Sequence, residues 1–242
     1  VAGFSCPQGR FTNSPPRGLL NPERPYTMAA RLPDGSIVSI STTYGTAKTI
    51  SAITNANPGV ATSTAHGLTN GTYGELVSGW ANLNNRVVRI ANQVTNAFDL
   101  EGIDTSSTTL YPAASGAGSF TPITGWQQIS QIMGLTTSGG DQEFTDYSFL
   151  EQNFKTQIPT TTSAQSIKLE IADDPSLAGY IALKAASDAR AVRTLRLQLP
   201  DGSLILYRGY VSFNETPTLD KGALMKVSAS FSLLARPVRY AS

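Results

Sequence analysis

The sequence predicts a mainly β protein: a β-sandwich or barrel with one α-helix over about residues 174–188 and a smaller β unit inserted over residues 55–120. Three observations carry this. The segment 225–233 alternates strictly, with Met225, Val227, Ala229, Phe231 and Leu233 on one side and Lys226, Ser228, Ser230 and Ser232 on the other, the period of a half-buried strand. Short β-prone runs at 60–64, 74–77, 86–91 and 97–100 recur between turn clusters at about the 8–12-residue spacing of a small barrel or sandwich. Only one stretch combines helix-start residues, Asp173 or Asp174 then Pro175, with an apolar stripe of Leu177, Tyr180, Ile181 and Ala185.

In chain order, residues 1–27 hold five prolines and no period of 2 or 3.6, so they are expected to be disordered or a non-native extension, with Met28 as the natural start. The competing reading is an arm that docks on a neighbouring subunit. Leu32-Pro33-Asp34-Gly35-Ser36 is a turn, and residues 37–44 follow as a β-branched strand that continues through 48–54. Asn55-Ala56-Asn57-Pro58-Gly59 breaks the pattern and opens the inserted unit, which fades through a Ser/Thr/Gly/Ala-rich stretch at 102–118. A main domain of residues 28–54 plus 121–242 remains.

Residues 126–135 read as a strand anchored by Ile129 and Ile132, and 136–157 as a long acidic loop. That loop carries Asp141, Glu143, Asp146 and Glu151 against Lys155, and it also holds Phe144, Tyr147, Phe149, Leu150 and Phe154. It is too apolar to be plain solvated coil, so it is expected to meet a partner surface. Ile167, Leu169 and Ile171 share one face of the next strand. After the helix, 194–199 and 204–213 form a hairpin around a second Leu-Pro-Asp-Gly-Ser, at 199–203, and 216–222 is a loop before the final strand.

Composition excludes several function classes. Net charge is +1 with 14% charged residues, so no phosphate-gripping surplus of Lys and Arg exists. The low charge fits either a Ser/Thr-rich surface or one buried against neighbours. A single cysteine, Cys6, allows neither an intrachain disulfide nor a cysteine metal site. The single histidine, His66, sits in Ala65-His66-Gly67-Leu68 and reads as a turn or strand-end residue rather than a base. No run approaches the roughly 20 apolar residues of a membrane span, and no signal-peptide pattern is present, so a chain kept in the cytoplasm before assembly is expected. No phosphate-binding glycine loop, nucleophile elbow or metal-ligand cluster occurs. Catalytic residues, cofactors and metals are therefore none, although two distant carboxylates such as Asp141 and Glu151 could serve a glycosidase.

The text Leu197-Gln198-Leu199-Pro200-Asp201-Gly202-Ser203, then Tyr207-Arg208-Gly209-Tyr210-Val211-Ser212, resembles the tail tube (major tail) proteins of long-tailed, non-contractile bacteriophages, the siphophages. The run Lys226-Val227-Ser228-Ala229-Ser230-Phe231-Ser232-Leu233 with Arg236-Pro237 is similar to the same family. The resemblance implies a tail-tube-type β-sandwich closing into stacked hexameric rings, a virion structural protein that self-assembles and conducts the genome during DNA ejection. It implies no enzyme. Its implied partners are further copies of the chain and the tape-measure, tail-tip and tail-terminator proteins, with double-stranded DNA passing without specific binding and no membrane involved. It places the protein in the phage tail, after assembly in the host cytoplasm. The 136–157 loop would bridge subunits or rings, Lys226, Ser228, Ser230 and Ser232 would face the lumen, and the inserted unit would decorate the outside. For the last strand the alternative is an ordinary solvent-facing row, and Lys226 departs from the family's acidic lumen. The alternative function is a carbohydrate- or receptor-binding β module of a tail tip, for which Trp80 and Trp126 would be the aromatic platforms.

Overall fold

A computed structural model describes residues 34–241; the expectations for residues 1–27 and for Met28 lie outside the described residues. The elements are β1 (Ile37–Tyr44), β2 (Lys48–Ile50), β3 (Ala52–Ile53), β4 (Val60–Thr62), β5 (Tyr73–Ser78), β6 (Val87–Val94), β7 (Ala97–Leu100) and β8 (Gly118–Ile129). There follow β9 (Ile132–Ser138), β10 (Gln142–Tyr147), β11 (Thr156–Thr162), β12 (Ser166–Ala172), α1 (Ala178–Asp188), β13 (Val192–Gln198), β14 (Leu204–Thr218), β15 (Lys226–Leu233) and β16 (Val238–Tyr240). The fold is mainly β with one helix, as the sequence predicts.

All strands but β10 and β11 join one antiparallel sheet in the order β3-β4-β7-β6-β5-β8-β1-β13-β14-β15-β12-β9, with β16 on β14 and β2 on β8. The residues 126–135 are not one strand: the chain turns at Ser130 and Gln131, where Gln131 takes a left-handed φ of 56°. That two-residue link decides the shape. It joins β8 to β9, which stand six inter-strand steps apart in the sheet. Laid flat, six steps of about 4.8 Å would separate them by about 29 Å. Three Cα–Cα steps reach only about 11 Å. The sheet must therefore roll until its β9 edge comes back to β8, giving a curled half-barrel.

Inside the roll lies one core. Val38 and Ile40 of β1, Leu195 and Leu197 of β13, Ile167, Leu169 and Ile171 of β12, and Val227, Ala229 and Phe231 of β15 meet there. Helix α1 packs on it through Tyr180, Leu183 and Ala186, with Leu177 beside them. This corrects the expected stripe: Ile181 and Ala185 are exposed. It also corrects the cap. The Asp174 carboxylate accepts from the Ser176 N–H at 3.0 Å and the Ser176 hydroxyl at 2.6 Å, closing a local turn. The helix therefore starts only at Ala178, with Leu177 as an N-cap that has no side-chain hydrogen bond. Gly179 lets it lie against β8, since a Cβ there would stand 2.8 Å from the Gln128 carbonyl oxygen.

A second core fills the segment 50–123. Trp80, Phe98, Phe120, Leu76 and Leu83 centre it, and Leu206, Val238 and Tyr240 from the C-terminal part complete it. His66 is buried here as a turn residue: its Nδ1 accepts from the Leu68 N–H at 3.0 Å, so Nε2 carries the proton and donates to the Val94 carbonyl at 2.8 Å. Both copies of the five-residue turn use a left-handed glycine, Gly35 at φ 87° and Gly202 at φ 84°. The expected loop at 216–222 is shorter than predicted, because β14 stays paired with β15 as far as Thr218, opposite Lys226.

Strands β1 and β13 lie between the two cores. Their apolar side chains enter the rolled core, and Ser39, Ser41 and Thr194 point the other way while remaining buried. Glu75 from β5 covers this polar layer. Its carboxylate pairs with the Arg208 guanidinium at 2.8 Å and accepts from the Tyr44 hydroxyl at 2.9 Å and the Thr194 hydroxyl at 3.0 Å. Burial, then the nearby Glu75 charge, raises the Tyr44 phenol above its ordinary value, keeping it a donor. Breaking such a pair strands a buried charge. Glu75→Ala is expected to lower the unfolding free energy by about 3–5 kcal/mol in urea denaturation. Glu75→Leu combined with Arg208→Met should recover more than half of that loss.

Candidate functional site

Two surfaces gather the residues singled out in the sequence. The first is the segment expected as a loop, which is instead a β-hairpin. Strands β10 and β11 pair only with each other, with Phe144 opposite Pro159, Thr145 opposite Ile158 and Tyr147 opposite Thr156. The hairpin is an arm: every residue of β10 and all but Thr156 of β11 are exposed. Asp141 stands at its base, Glu143, Phe144, Asp146 and Tyr147 along β10, and Phe149, Glu151 and Phe154 at its tip. Polar contacts hold the strands in register. The Gln157 amide donates to the Asp146 carboxylate at 3.0 Å, and the Thr161 hydroxyl donates to Glu143 at 3.1 Å.

No core lies beneath the arm. Phe144, Phe149, Leu150, Phe154 and Ile158 are at least half exposed. A lone two-stranded hairpin is marginal in water. Burying each of these side chains against a partner would contribute up to about 1.5–3 kcal/mol. Ile158 escaped the sequence reading because only the acidic half of the arm, up to 157, drew attention. A second uncovered apolar cluster, Leu219, Leu224 and Met225 at the β14–β15 turn, also escaped, since Met225 reads as part of the inward row of β15. The carboxylates Asp141 and Glu151 lie at opposite ends of the arm. The six residues of β10 between them span about 20 Å. A glycosidase pair needs about 5–9.5 Å, so this pair cannot work as one.

The second surface is the outward face of β15 and its neighbours. Lys226, Ser228 and Ser230 are half-buried and Ser232 is exposed. In register with them stand Lys168 and Glu170 of β12 on one side and Ser212 and Asn214 of β14 on the other. Thr136 and Ser138 of β9 extend the row. The result is a hydroxyl-rich wall with a single ionic cluster, in which Glu170 receives Lys226 at 2.6 Å and Lys168 at 3.1 Å. The hydrogen bond from Lys226, then that from Lys168, holds the Glu170 carboxyl below the ordinary glutamate range. Along β14 the wall adjoins the second core: Leu206, on the same face of the strand as Ser212 and Asn214, packs into that core.

Neither tryptophan offers a sugar platform. Trp80 is fully buried and donates its indole N–H to the Pro112 carbonyl at 2.7 Å. Trp126 is half-buried, with the Arg196 guanidinium stacked 4.6 Å from its ring centre. Among the described residues no group of His, Cys, Asp and Glu could hold a metal ion, and no helix is long and apolar enough to cross a membrane.

A lowered carboxyl pKa contributes stability that is present above the ordinary glutamate range and lost as pH falls through the lowered value. In a carboxyl NMR titration Glu170 is therefore expected to protonate later than an ordinary glutamate as acid is added. Lys226→Met should move it back toward the ordinary value.

A family model described as phage tail tube protein, TTP, matches residues 78–242, about two thirds of the chain. The match begins at the last residue of β5 and takes in the arm, the wall and the C-terminal strand. No curated protein matches the chain.

Proposed function

Since this chain belongs to the phage tail tube protein family, we propose that it self-assembles into hexameric rings that stack into the tail tube, the conduit for genome delivery in a siphophage. The protein is a structural component of the virion tail. The observation that carries the assembly reading is the arm: a hairpin without a core of its own, lined with uncovered aromatic and aliphatic side chains. Contiguous apolar surface of this kind marks an interaction site. Asp141, Glu143, Phe144, Asp146, Tyr147, Phe149, Glu151 and Phe154 then form the contact between subunits or rings.

The hydroxyl wall suits the lumen. Lys226, Ser228, Ser230 and Ser232 offer hydrogen-bonding groups without a row of cations, and Glu170 offsets Lys226 and Lys168. Duplex DNA, whose tight binding would need several unpaired Lys and Arg contacts, slides past such a wall. The inserted unit at 55–120 decorates the tube exterior, a reading supported by its having a core of its own beside the rolled one. The chain's partners are then the tape-measure, tail-tip and tail-terminator proteins, with assembly in the host cytoplasm.

Negative-stain electron microscopy over a concentration series tests this. The full chain is expected to give rings or hollow tubes, and replacing the arm tip, residues 148–155, by a two-residue turn should leave monomers. Uniform monomers of the full chain at every concentration, or tubes formed without the arm tip, would overturn it.

A further inference from the structure

Beside the base of the arm lies an open groove of about 700 Å³. One wall is the arm base, Gly139 to Gln142 with Thr162 to Gln165, and the other is the chain leaving β15, Leu233 to Pro237. The groove is a built feature. The Ser163 hydroxyl accepts from the Gly140 N–H at 3.0 Å and the Asp141 N–H at 3.1 Å. The Arg236 guanidinium donates to the Thr162 hydroxyl at 3.2 Å, bracing the two walls. Gly139 takes a left-handed φ of 74°, and a Cβ there would stand 1.9 Å from the Ala164 carbonyl oxygen, so only glycine permits this close base.

The groove's chemistry matches one surface of the same chain. Its far wall is apolar through Leu233, Leu234, Ala235 and Pro237, with one cation, Arg236; its near wall carries one carboxylate, Asp141. The arm tip is apolar through Phe149, Leu150 and Phe154, with one carboxylate, Glu151, and one ammonium, Lys155. A tip cannot reach the groove at its own base, because the six residues of β10 hold the two about 20 Å apart. We infer that the groove receives the arm tip of a second copy of this chain, with Phe149 and Leu150 on the apolar wall and Glu151 against Arg236. The inference rests on the proposed role of the arm in assembly and names the surface it meets.

Tip and groove are different patches, so the contact is heterologous: every copy donates one tip and accepts another. Repeated, it either closes into a ring or runs on as an open helix.

A charge exchange tests this on the full-length protein. Arg236→Glu and Glu151→Arg lie at exposed positions, and circular dichroism checks that each variant folds. Each alone places like charges together and is expected to raise the concentration for half-assembly, read by sedimentation, at least about tenfold. The double variant should return to within about threefold of the original, because the pair is restored in reverse. Single variants that assemble normally, or a double variant no better than the singles, would overturn the tip-in-groove contact. Replacement of residues 148–155 separates the two ideas. If that change stops assembly while the charge variants do nothing, the arm contact stands and this groove is not its site. If assembly survives it, both fall.

Discussion

The buried ion pair between Glu75 and Arg208 determines how the two halves of this molecule meet. A strand is ordinarily apolar on one face and wet on the other. Strands β1 and β13 are covered on both faces, and their second faces carry Ser39, Ser41 and Thr194. Each buried hydroxyl needs a partner. For Thr194 the Glu75 carboxylate, reached also by Tyr44 and Arg208, supplies it, while the Ser41 hydroxyl bonds the Tyr44 hydroxyl at 2.7 Å and accepts from the Thr194 N–H at 2.9 Å. An apolar contact between the halves would tolerate sliding by a residue. A polar network of this kind has one register, which fixes the half built on residues 50–123 against the barrel.

The second constraint is the two-residue link at Ser130–Gln131. By forcing the sheet to roll, it leaves an outward surface with two sectors that meet along β14. One is covered by the second core and the other is the hydroxyl wall. Sequence patterning alone makes both sectors polar-faced strands. Their different fates come from strand order in the sheet.

What the sequence displays and what it hides follow from the same geometry. Strands β12 and β15 are legible because one face is buried and the other open, so alternation survives in the text. Strand β1 is legible through its β-branched residues, and its bounds agree with the structure, yet nothing in Ile37-Val38-Ser39-Ile40-Ser41 says that the serines are buried. That depends on Glu75 and Arg208, which are distant along the chain. The start of α1 is misread because Asp174 spends its side chain on Ser176. The break at Ser130–Gln131 is invisible because a left-handed glutamine leaves no compositional mark. The arm stands out by its mixture of acids and aromatics, but its hairpin pairing does not, since strands without a core have no reason to alternate. Strand β16 is too short to declare itself, and its pairing with β14 and its packing under Arg89 define it.

That last contact has a temporal meaning. The Arg89 N–H donates to the Tyr240 hydroxyl at 2.7 Å, and Leu206, Val238 and Tyr240 complete a core otherwise built from residues 50–123. Synthesis runs from the N-terminus, so on the ribosome the half built on residues 50–123 emerges well before the residues that finish its interior. Its last stitch is sewn only when β16 has emerged, after the arm and the hydroxyl wall. The interior of that half is thereby left open while the arm and the wall are being made, and it closes after both.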